Sequence, residues 1–406
     1  MINLISAQIV LATLKTIRTG QLTVKLPDGT IREFGKNTEV TGTATVNRAY
    51  LTVHHWSAFR HTLLRGDIGF AEAFMRGLWT TDNLNNLLDI IVQNREILDR
   101  PIRGLTLTNV INKIRHRLNK NTKSQAKKNI EAHYDLGNDF YSLWLDETMS
   151  YSSGLFRGSR YPKTSDLKEA QLNKIDRAIN QLGYLDEKSQ TLEIGCGWGG
   201  LAVERLKNHP GKHTGITLSN EQRIWAEQLM RREELSERCT IELRDYRDVT
   251  GIFDGIVSIE MIEAVGRDYW ITFFETISTL LKPGGRAVIQ AITIDEHLFN
   301  EYESGVDFIQ TYIFPGGMLM TKNHFYDFAT KANLTVSDAL EFGQDYASTL
   351  LQWHDRFITN WLTIKDLGFD NRFKNMWEFY LAYCRSGFLN KNIDVVQFTL
   401  TKAQNH

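Results

Sequence analysis

The sequence predicts an α/β protein built on a doubly wound, mostly parallel sheet, with a smaller α+β domain ahead of it. Three observations predict it. From about residue 187, short apolar runs alternate with helix-length segments, the pattern of parallel strands joined by crossover helices. A glycine-rich turn, Glu193-Ile-Gly-Cys-Gly-Trp-Gly199, links the first of those strands to the helix behind it. The first hundred residues instead mix period-two strands with helical spacing, so they read as a separate unit.

Size and composition set outer limits. At 406 residues the chain exceeds the roughly 150 of one ordinary domain. Hydrophobic residues make up 42% and charged residues 23%, the usual balance of a globular protein. A net charge of −1 gives no global attraction to nucleic acid, and no nucleic-acid partner is expected. Cys196, Cys239 and Cys384 lie far apart, make no metal-ligand spacing, and fit a reducing compartment rather than a disulfide framework. No metal is expected. No uninterrupted apolar run reaches the roughly 18 residues that span a bilayer. The opening Met1–Leu14 has no cationic start, so it reads as a short amphipathic helix rather than a secretory signal. A cytoplasmic location follows as the expectation.

In the first unit, 1–100, Leu22–Leu26 alternates as a strand does and Pro27-Asp-Gly29 signals a hairpin turn. Thr41–Val46 and Tyr50–Val53 continue the strand pattern, whereas Gly69–Gly77 and Leu84–Ile91 take helical spacing. Between 101 and 130 the composition changes. Arg103, Lys113, Arg115, Arg117, Lys120, Lys123, Lys127 and Lys128 occur with no Asp or Glu among them. Such a stretch is either a solvated linker or a surface for anionic phospholipid head groups. Against a membrane each cation contributes on the order of 1 kcal/mol. No aromatics are interleaved for base stacking.

In the remaining span, 131–406, the βαβ pattern runs through strands at Thr191–Ile194, His213–Leu218, Cys239–Leu243, Phe253–Ile259 and Arg286–Ile294. Helices are expected at 200–207, at 220–234 with Ser219 as N-cap, and at 269–281, the last stopped by Lys282-Pro-Gly-Gly285. Ligands of such sheets sit beyond the carboxyl ends of the strands. The chemical motifs fall there.

The glycine turn is the first of them. Glycine at 195, 197 and 199 lets the backbone turn sharply and approach a ligand with no Cβ in the way. The helix behind it aims its free amides at the same place. The spacing departs from the G-x-G-x-x-G of nicotinamide binders, and Glu193, two places before the first Gly, suits a ligand with a cationic amino-acid end. The turn looks like the first motif of an S-adenosylmethionine-dependent methyltransferase.

Four further blocks sharpen the resemblance. They are His133-Tyr-Asp-Leu-Gly-Asn-Asp-Phe-Tyr141 with Leu143-Trp-Leu-Asp146 and Met149-Ser-Tyr-Ser152, then Gly215-Ile-Thr-Leu-Ser-Asn-Glu-Gln222, then Phe253–Gly266, then Asp307-Phe-Ile-Gln-Thr-Tyr-Ile-Phe-Pro-Gly-Gly317. With the glycine turn and in this order, they resemble the cyclopropane-fatty-acyl-phospholipid synthases and mycolic acid methyltransferases. The resemblance is strong over roughly 125 to 395. It implies a class I S-adenosylmethionine-dependent methyltransferase fold with S-adenosylmethionine as cofactor.

By that resemblance Tyr151 and Ser152 fold over the methionine end of the cofactor. Glu193, Gly195, Cys196, Gly197 and Gly199 lie beneath its amino acid and ribose. Thr217, Leu218, Ser219 and Gln222 follow the second strand, and Asp245 with Tyr246 ends the third beside the adenine. The implied substrates are unsaturated acyl chains of membrane phospholipids, reached by peripheral association with the inner membrane face, and a homodimer is compatible with the family. An alkene is a weak nucleophile, so its attack on the activated methyl leaves a carbocation that a base must discharge. A dry site lined by electron-rich rings suits it. Tyr302, Phe308, Tyr312, Phe314, Tyr346 and Trp353 are candidates for that lining.

In relatives the base is a bound bicarbonate, held by a Cys, a Glu, a His, an Ile amide and a Tyr. Here Glu263, Ile292 and Tyr346 match, but Ser153 replaces the Cys and Gln290 the His. Ser and Gln can still donate to an oxyanion, yet neither supplies a titrating imidazole. Cyclopropane formation is the first expectation. Methyl or methylene branching without ring closure is the alternative, followed by amine N-methylation and by a non-catalytic lipid-binding role.

Overall fold

The computed structural model describes residues 2–35, 47–98, 125, 136–157 and 164–404. The basic run 101–130 (Gln125 apart), the expected strand Thr41–Val46 and the His133-Tyr-Asp135 start of the first block lie outside them. Two compact units emerge, and neither is one continuous stretch of chain. Ser304–Ile313 and Trp361–Asn390 group with the N-terminal residues, whereas Phe314–Asn360 and the chain from Lys391 on group with the central part.

The first unit carries a four-stranded sheet of β1 (Gln21–Lys25), β2 (Ile31–Gly35), β3 (Arg48–Val53) and β4 (Trp79–Thr81), in the order β2-β1-β3-β4. β1 and β2 form the expected hairpin, its turn closed by Gly29 N donating to Leu26 O, with Gly29 at φ +84. Leu22 and Val24 alternate inward from β1. The helix Asn371–Leu389 packs on helices Ser57–Met75 and Leu84–Gln93, fixed by an Arg385–Asp89 ion pair at 3.0 Å. The opening segment is helical over Ile2–Leu14, but it is not divided into a polar and an apolar face. Ser6 and Thr13 are buried, their hydroxyls donating one turn back to Ile2 O and Ile9 O, while Ile2, Leu4 and Ile5 are exposed.

The second unit is a seven-stranded sheet in the order β10-β11-β9-β8-β5-β6-β7. Its strands are β5 (Gln190–Ile194), β6 (Lys212–Thr217), β7 (Cys239–Leu243), β8 (Phe253–Ile259), β9 (Leu281–Ile294), β10 (Leu334–Glu341) and β11 (Ile393–Lys402). The first five are mutually parallel, as the alternating pattern requires. β11 alone runs against the rest, antiparallel to both of its neighbours, β9 and β10. β9 starts earlier than expected. Lys282-Pro-Gly-Gly285 does not precede the strand but sits within it as an irregularity, between the β8 pairings of Leu281 and Arg286.

Alternation along the central strands sends side chains to both faces of the sheet. Ile256 and Ile289 pack with Trp270, Phe273 and Ile277 of helix Trp270–Leu280 on one face, and Val257 and Val288 with Ile175 and Ile179 of helix Leu167–Gln181 on the other. Chain order reverses between β5 and β8, which are neighbours in the sheet. The loops leaving their carboxyl ends therefore flank the position where doubly wound sheets hold ligands.

Candidate functional site

As β5 ends, Gly195 N and Cys196 N both donate to Ile216 O on β6, at 3.0 and 2.9 Å, and the chain turns out of the sheet. Gly195, Gly197 and Gly199 have φ of +85°, +51° and +89°. A Cβ on Gly195 would come 3.0 Å from Met261 Cγ, and one on Gly199 would come 3.1 Å from Ala226 Cβ, but one on Gly197 would meet nothing within 4 Å. Of the three, Gly197 borders open space, as a ligand-facing glycine should. Cys196 is buried under β6, so its backbone rather than its thiol is available to a ligand. Glu193 is buried too, and its Oε2 lies 3.1 Å from His213 Nε2, whose Nδ1 in turn meets Thr191 Oγ1 at 2.9 Å. Burial raises the Glu193 carboxyl, and His213 opposes the rise. One oxygen of the acid read as ligand-facing is thus engaged within the sheet.

Gly197→Val is expected to weaken S-adenosylmethionine binding at least tenfold, about 1.4 kcal/mol, with the fold retained. A β-branched residue at a positive φ is strained by about 1–2 kcal/mol, and its methyls would project into the open side. Calorimetric titration checks this, and native affinity in the variant would remove the loop from the cofactor site.

β6 and β7 deliver their candidates to the same edge. Ser219 caps helix Asn220–Arg232, its Oγ accepting from Gln222 N. Its own N–H donates to Thr217 Oγ1, which donates to Gln222 Oε1 at 2.7 Å, and Leu218 between them is partly exposed. Beyond β7, Asp245 binds Arg247 through its backbone N–H at 2.9 Å and its Nη2 at 2.6 Å. Tyr246 packs on Phe273 at 5.4 Å, and burial pushes its hydroxyl up.

Tyr151 and Ser152 lie on a loop that crosses the start of helix Gly200–Asn208 so closely that a Cβ on Gly200 would sit 2.4 Å from Thr148 O. The Tyr151 ring stands 5.3 Å from Trp144 and 5.4 Å from Trp353, which also meets Tyr346 edge-on at 6.0 Å. These rings, with Phe314, form one cluster. Phe308 and Tyr312 belong to the first unit, where Phe308 packs on Phe379 and Tyr312 Oη donates to Glu72. Of the expected lining, Phe314, Tyr346 and Trp353 share the cluster of the second unit, whereas Phe308 and Tyr312 lie in the first.

The residues read as a base site converge, and on a partner the sequence reading did not select. Glu260 follows β8 directly, its N–H donating to Gln290 O at 2.8 Å. Ser153 N donates to Glu260 Oε1 at 2.9 Å, Gln290 Nε2 to the same oxygen at 2.7 Å, and Tyr346 Oη to Oε2 at 2.6 Å. Ile292 N donates to Glu263 Oε1 at 2.5 Å, while Glu263 Oε2 is shut off from solvent with no partner among the described residues. Both residues keep some accessible surface, but their carboxylates are enclosed. Desolvation, then the neighbouring Glu260 charge, pushes Glu263 up to about 8. Desolvation also raises Glu260, but its three donors and Lys174 favour the ionised form. With its carboxyl up to about 8, Glu263 holds its proton at neutral pH.

Lys174 is the second residue the sequence reading passed over. It is 2% exposed, donates to Ser152 Oγ at 2.6 Å, and is pushed down to about 8 by desolvation, against the pull of Glu260, Asp146 and Glu193. Its signal was a lysine within the apolar stripe of helix Leu167–Gln181, alongside Ala170, Ile175 and Ala178. For Glu260 the signal was the pair of acids in Glu260-Met-Ile-Glu263.

A family model described as mycolic acid cyclopropane synthetase matches residues 121–398. The tuberculostearic acid methyltransferase UfaA1 of Mycobacterium tuberculosis is 37% identical over 372 residues, covering 89% of this chain and 85% of that protein. The cyclopropane-fatty-acyl-phospholipid synthase of Escherichia coli is 32% identical over 358 residues, covering 85% of each. The crystal structure of the mycolic acid cyclopropane synthase CmaA1, complexed with SAH and CTAB, superposes with a TM-score of 0.63 at 30% identity, covering 68% of this chain and 98% of that one. With the glycine cradle and the strand-end residues gathered at one sheet edge, these matches show that the chain belongs to the cyclopropane synthase and mycolic acid methyltransferase family of S-adenosylmethionine-dependent lipid methyltransferases.

Proposed function

We propose that the protein methylates the double bond of unsaturated acyl chains in membrane phospholipids and discharges the resulting cation, after a hydride shift to it from the methylated carbon, by proton loss from the new methyl to leave a methylene branch. S-adenosylmethionine supplies the methyl as an electrophile on sulfur. The observation that carries the reading is the placing of two enclosed carboxylates, Glu260 and Glu263, beside the Tyr151–Trp353–Tyr346 ring cluster at the end of β8. Rings that tolerate a nearby cation and an acid that takes its proton are what alkene methylation needs.

Two observations favour the branched ending over the ring that the family resemblance puts first. Ser153 and Gln290 stand where ring-forming relatives carry a Cys and a His. The identity to a tuberculostearic acid methyltransferase, 37%, exceeds that to a cyclopropane synthase, 32%. A peripheral, cytoplasmic site of action suits the substrate, and among the described residues no helix is long and apolar enough to cross a membrane.

Methyl-labelled S-adenosylmethionine incubated with vesicles of dioleoyl phosphatidylethanolamine tests this. Label is expected in the acyl chains, one CH2 heavier by mass spectrometry, with olefinic methylene protons in the NMR spectrum. Cyclopropane and methylene products are isomers, so upfield ring protons would restore ring closure. A saturated methyl branch would need a hydride from a reductant. Label confined to the head-group amine would replace the reading with N-methylation.

A further inference from the structure

The donors that Ser153, Gln290, Tyr346 and Ile292 bring to the site assigned by family resemblance to a bound bicarbonate are engaged by carboxylates of this protein. Ser153 N–H, Gln290 Nε2 and Tyr346 Oη converge on Glu260, and Ile292 N–H is taken by Glu263. The residues present do not fit an exchangeable oxyanion, because a carboxylate already lies among them.

We propose that Glu260 is a resident proton acceptor, its carboxylate standing where a free oxyanion would bind, so that the protein works without bicarbonate. The proposal rests on the alkene methylation above.

Three features of the structure support it. Glu260 has φ +49°, in the left-handed region that glycine favours, and a non-glycine residue is held in such strain when its surroundings determine it. The surroundings here do. Its N–H is pinned to Gln290 O, and its carboxylate takes three donors from three separate elements.

Gln290 is itself oriented for the task. Arg177 Nη1 donates to Gln397 Oε1 at 2.6 Å, Gln397 Nε2 donates to Gln290 Oε1 at 3.1 Å, and this leaves Gln290 Nε2 to face Glu260 at 2.7 Å. Strand register sets this relay, since Gln397 of β11 pairs with Gln290 of β9, which pairs with Ile259 of β8. The amide is fixed as donor, which an oxygen acceptor requires.

Oε1 receives two of the donors and Oε2 one, so Oε2 keeps a lone pair for a proton. The step balances. The alkene π pair forms the new C–CH3 bond as the C–S bond breaks, its electron pair remaining on sulfur. The hydrogen on the methyl-bearing carbon shifts with its electron pair to the cationic neighbour. A C–H bond of the new methyl then breaks, its pair closes the C=CH2 bond, and the proton passes to Glu260 Oε2. Glu260 returns it to water once product leaves.

The test compares native protein, Glu260→Gly and Glu260→Gln in carbon-dioxide-depleted buffer, with dioleoyl phosphatidylethanolamine vesicles and with bicarbonate or formate added back. Glycine suits the backbone and vacates the space, whereas glutamine fills it without accepting a proton. Native turnover is expected to be indifferent to bicarbonate. Both variants should lose turnover by a factor on the order of 10² to 10⁴. Either anion should restore a measurable part of it in Glu260→Gly but not in Glu260→Gln.

A second readout needs no turnover. Line broadening of 13C-bicarbonate is expected with Glu260→Gly and not with native protein. Absence of methyl transfer in every protein would sink the proposed reaction, while the binding contrast would still decide whether Glu260 fills an anion site. Loss of native turnover on removing bicarbonate would overturn the proposal. So would Glu260→Gly working at the native rate without an added anion, or native protein broadening bicarbonate as strongly as the variant.

Discussion

Trp353→Ala is expected to lower the unfolding free energy of the second unit by about 3–5 kcal/mol, the usual range for truncating a fully buried tryptophan. The residue is 0% exposed on helix Gly343–Thr359. Its ring holds Trp144 edge-on at 5.5 Å, Tyr151 at 5.4 Å and Tyr346 at 6.0 Å, so the loss is not one of area alone. Truncation leaves a cavity bordered by two rings of the candidate site, and those rings relax into it. Tyr346 donates to Glu260 and Tyr151 lies next to Ser152, so methyl transfer should fall further than the loss of folded protein explains. Trp353→Phe keeps an aromatic plane and should recover most of the stability. Urea unfolding followed by fluorescence, with turnover normalised to folded protein, measures both effects. A midpoint within error of the native one would show that the cluster does not organise this unit.

The parallel half of the sheet was legible because each of its strands is a short strand-forming run set between helix signals. Cys239–Leu243 and Phe253–Ile259 fall where the pattern puts them, and Ser219 caps its helix as its position suggests. β10 and β11 were not legible. Leu334–Glu341 alternates weakly at an edge, and Ile393–Lys402 takes its place inside that edge through pairing with β9, about a hundred residues earlier. The composition of the units is likewise a matter of long-range packing. Nothing in Trp361–Asn390 says that helix Asn371–Leu389 packs against Leu84–Gln93 rather than against the sheet that flanks it in sequence.

The site shows the same division. The glycine turn declares itself, because three glycines at alternate positions have few other uses. The positions of Ser153, Glu263, Gln290, Ile292 and Tyr346 followed from resemblance, but what they converge on did not. Glu260 is separated from Gln290 by 30 residues and from Ser153 by 107, and its positive φ leaves no mark in the residue letters. Lys174 is legible only as a misfit, a charge on the buried face of an amphipathic helix beside Ala170, Ile175 and Ala178.

Glu263→Gln is expected to flatten the pH dependence of stability. In the unfolded chain this carboxyl ionises near 4.5, but in the folded protein desolvation and the adjacent Glu260 charge push it up to about 8. Between those values the folded state binds more protons than the unfolded one, so the group's contribution is fully present below about pH 4.5 and is lost as pH rises towards 8. At about 1.4 kcal/mol per pK unit, the gap of 3.5 units between 4.5 and about 8 sets a ceiling of about 5 kcal/mol, which relaxation and water entry reduce. Glutamine cannot ionise, yet its Oε1 can still accept the Ile292 N–H. Lys174, also pushed down to about 8, faces the same cluster from helix Leu167–Gln181 and remains in both proteins. Its titration therefore largely cancels when the two are compared, apart from its coupling to the Glu263 charge. Urea unfolding across this range should show Glu263→Gln gaining on native protein by a few kcal/mol from acid to mildly alkaline pH. Parallel stability curves would mean that Glu263 is already ionised at neutral pH in the folded protein.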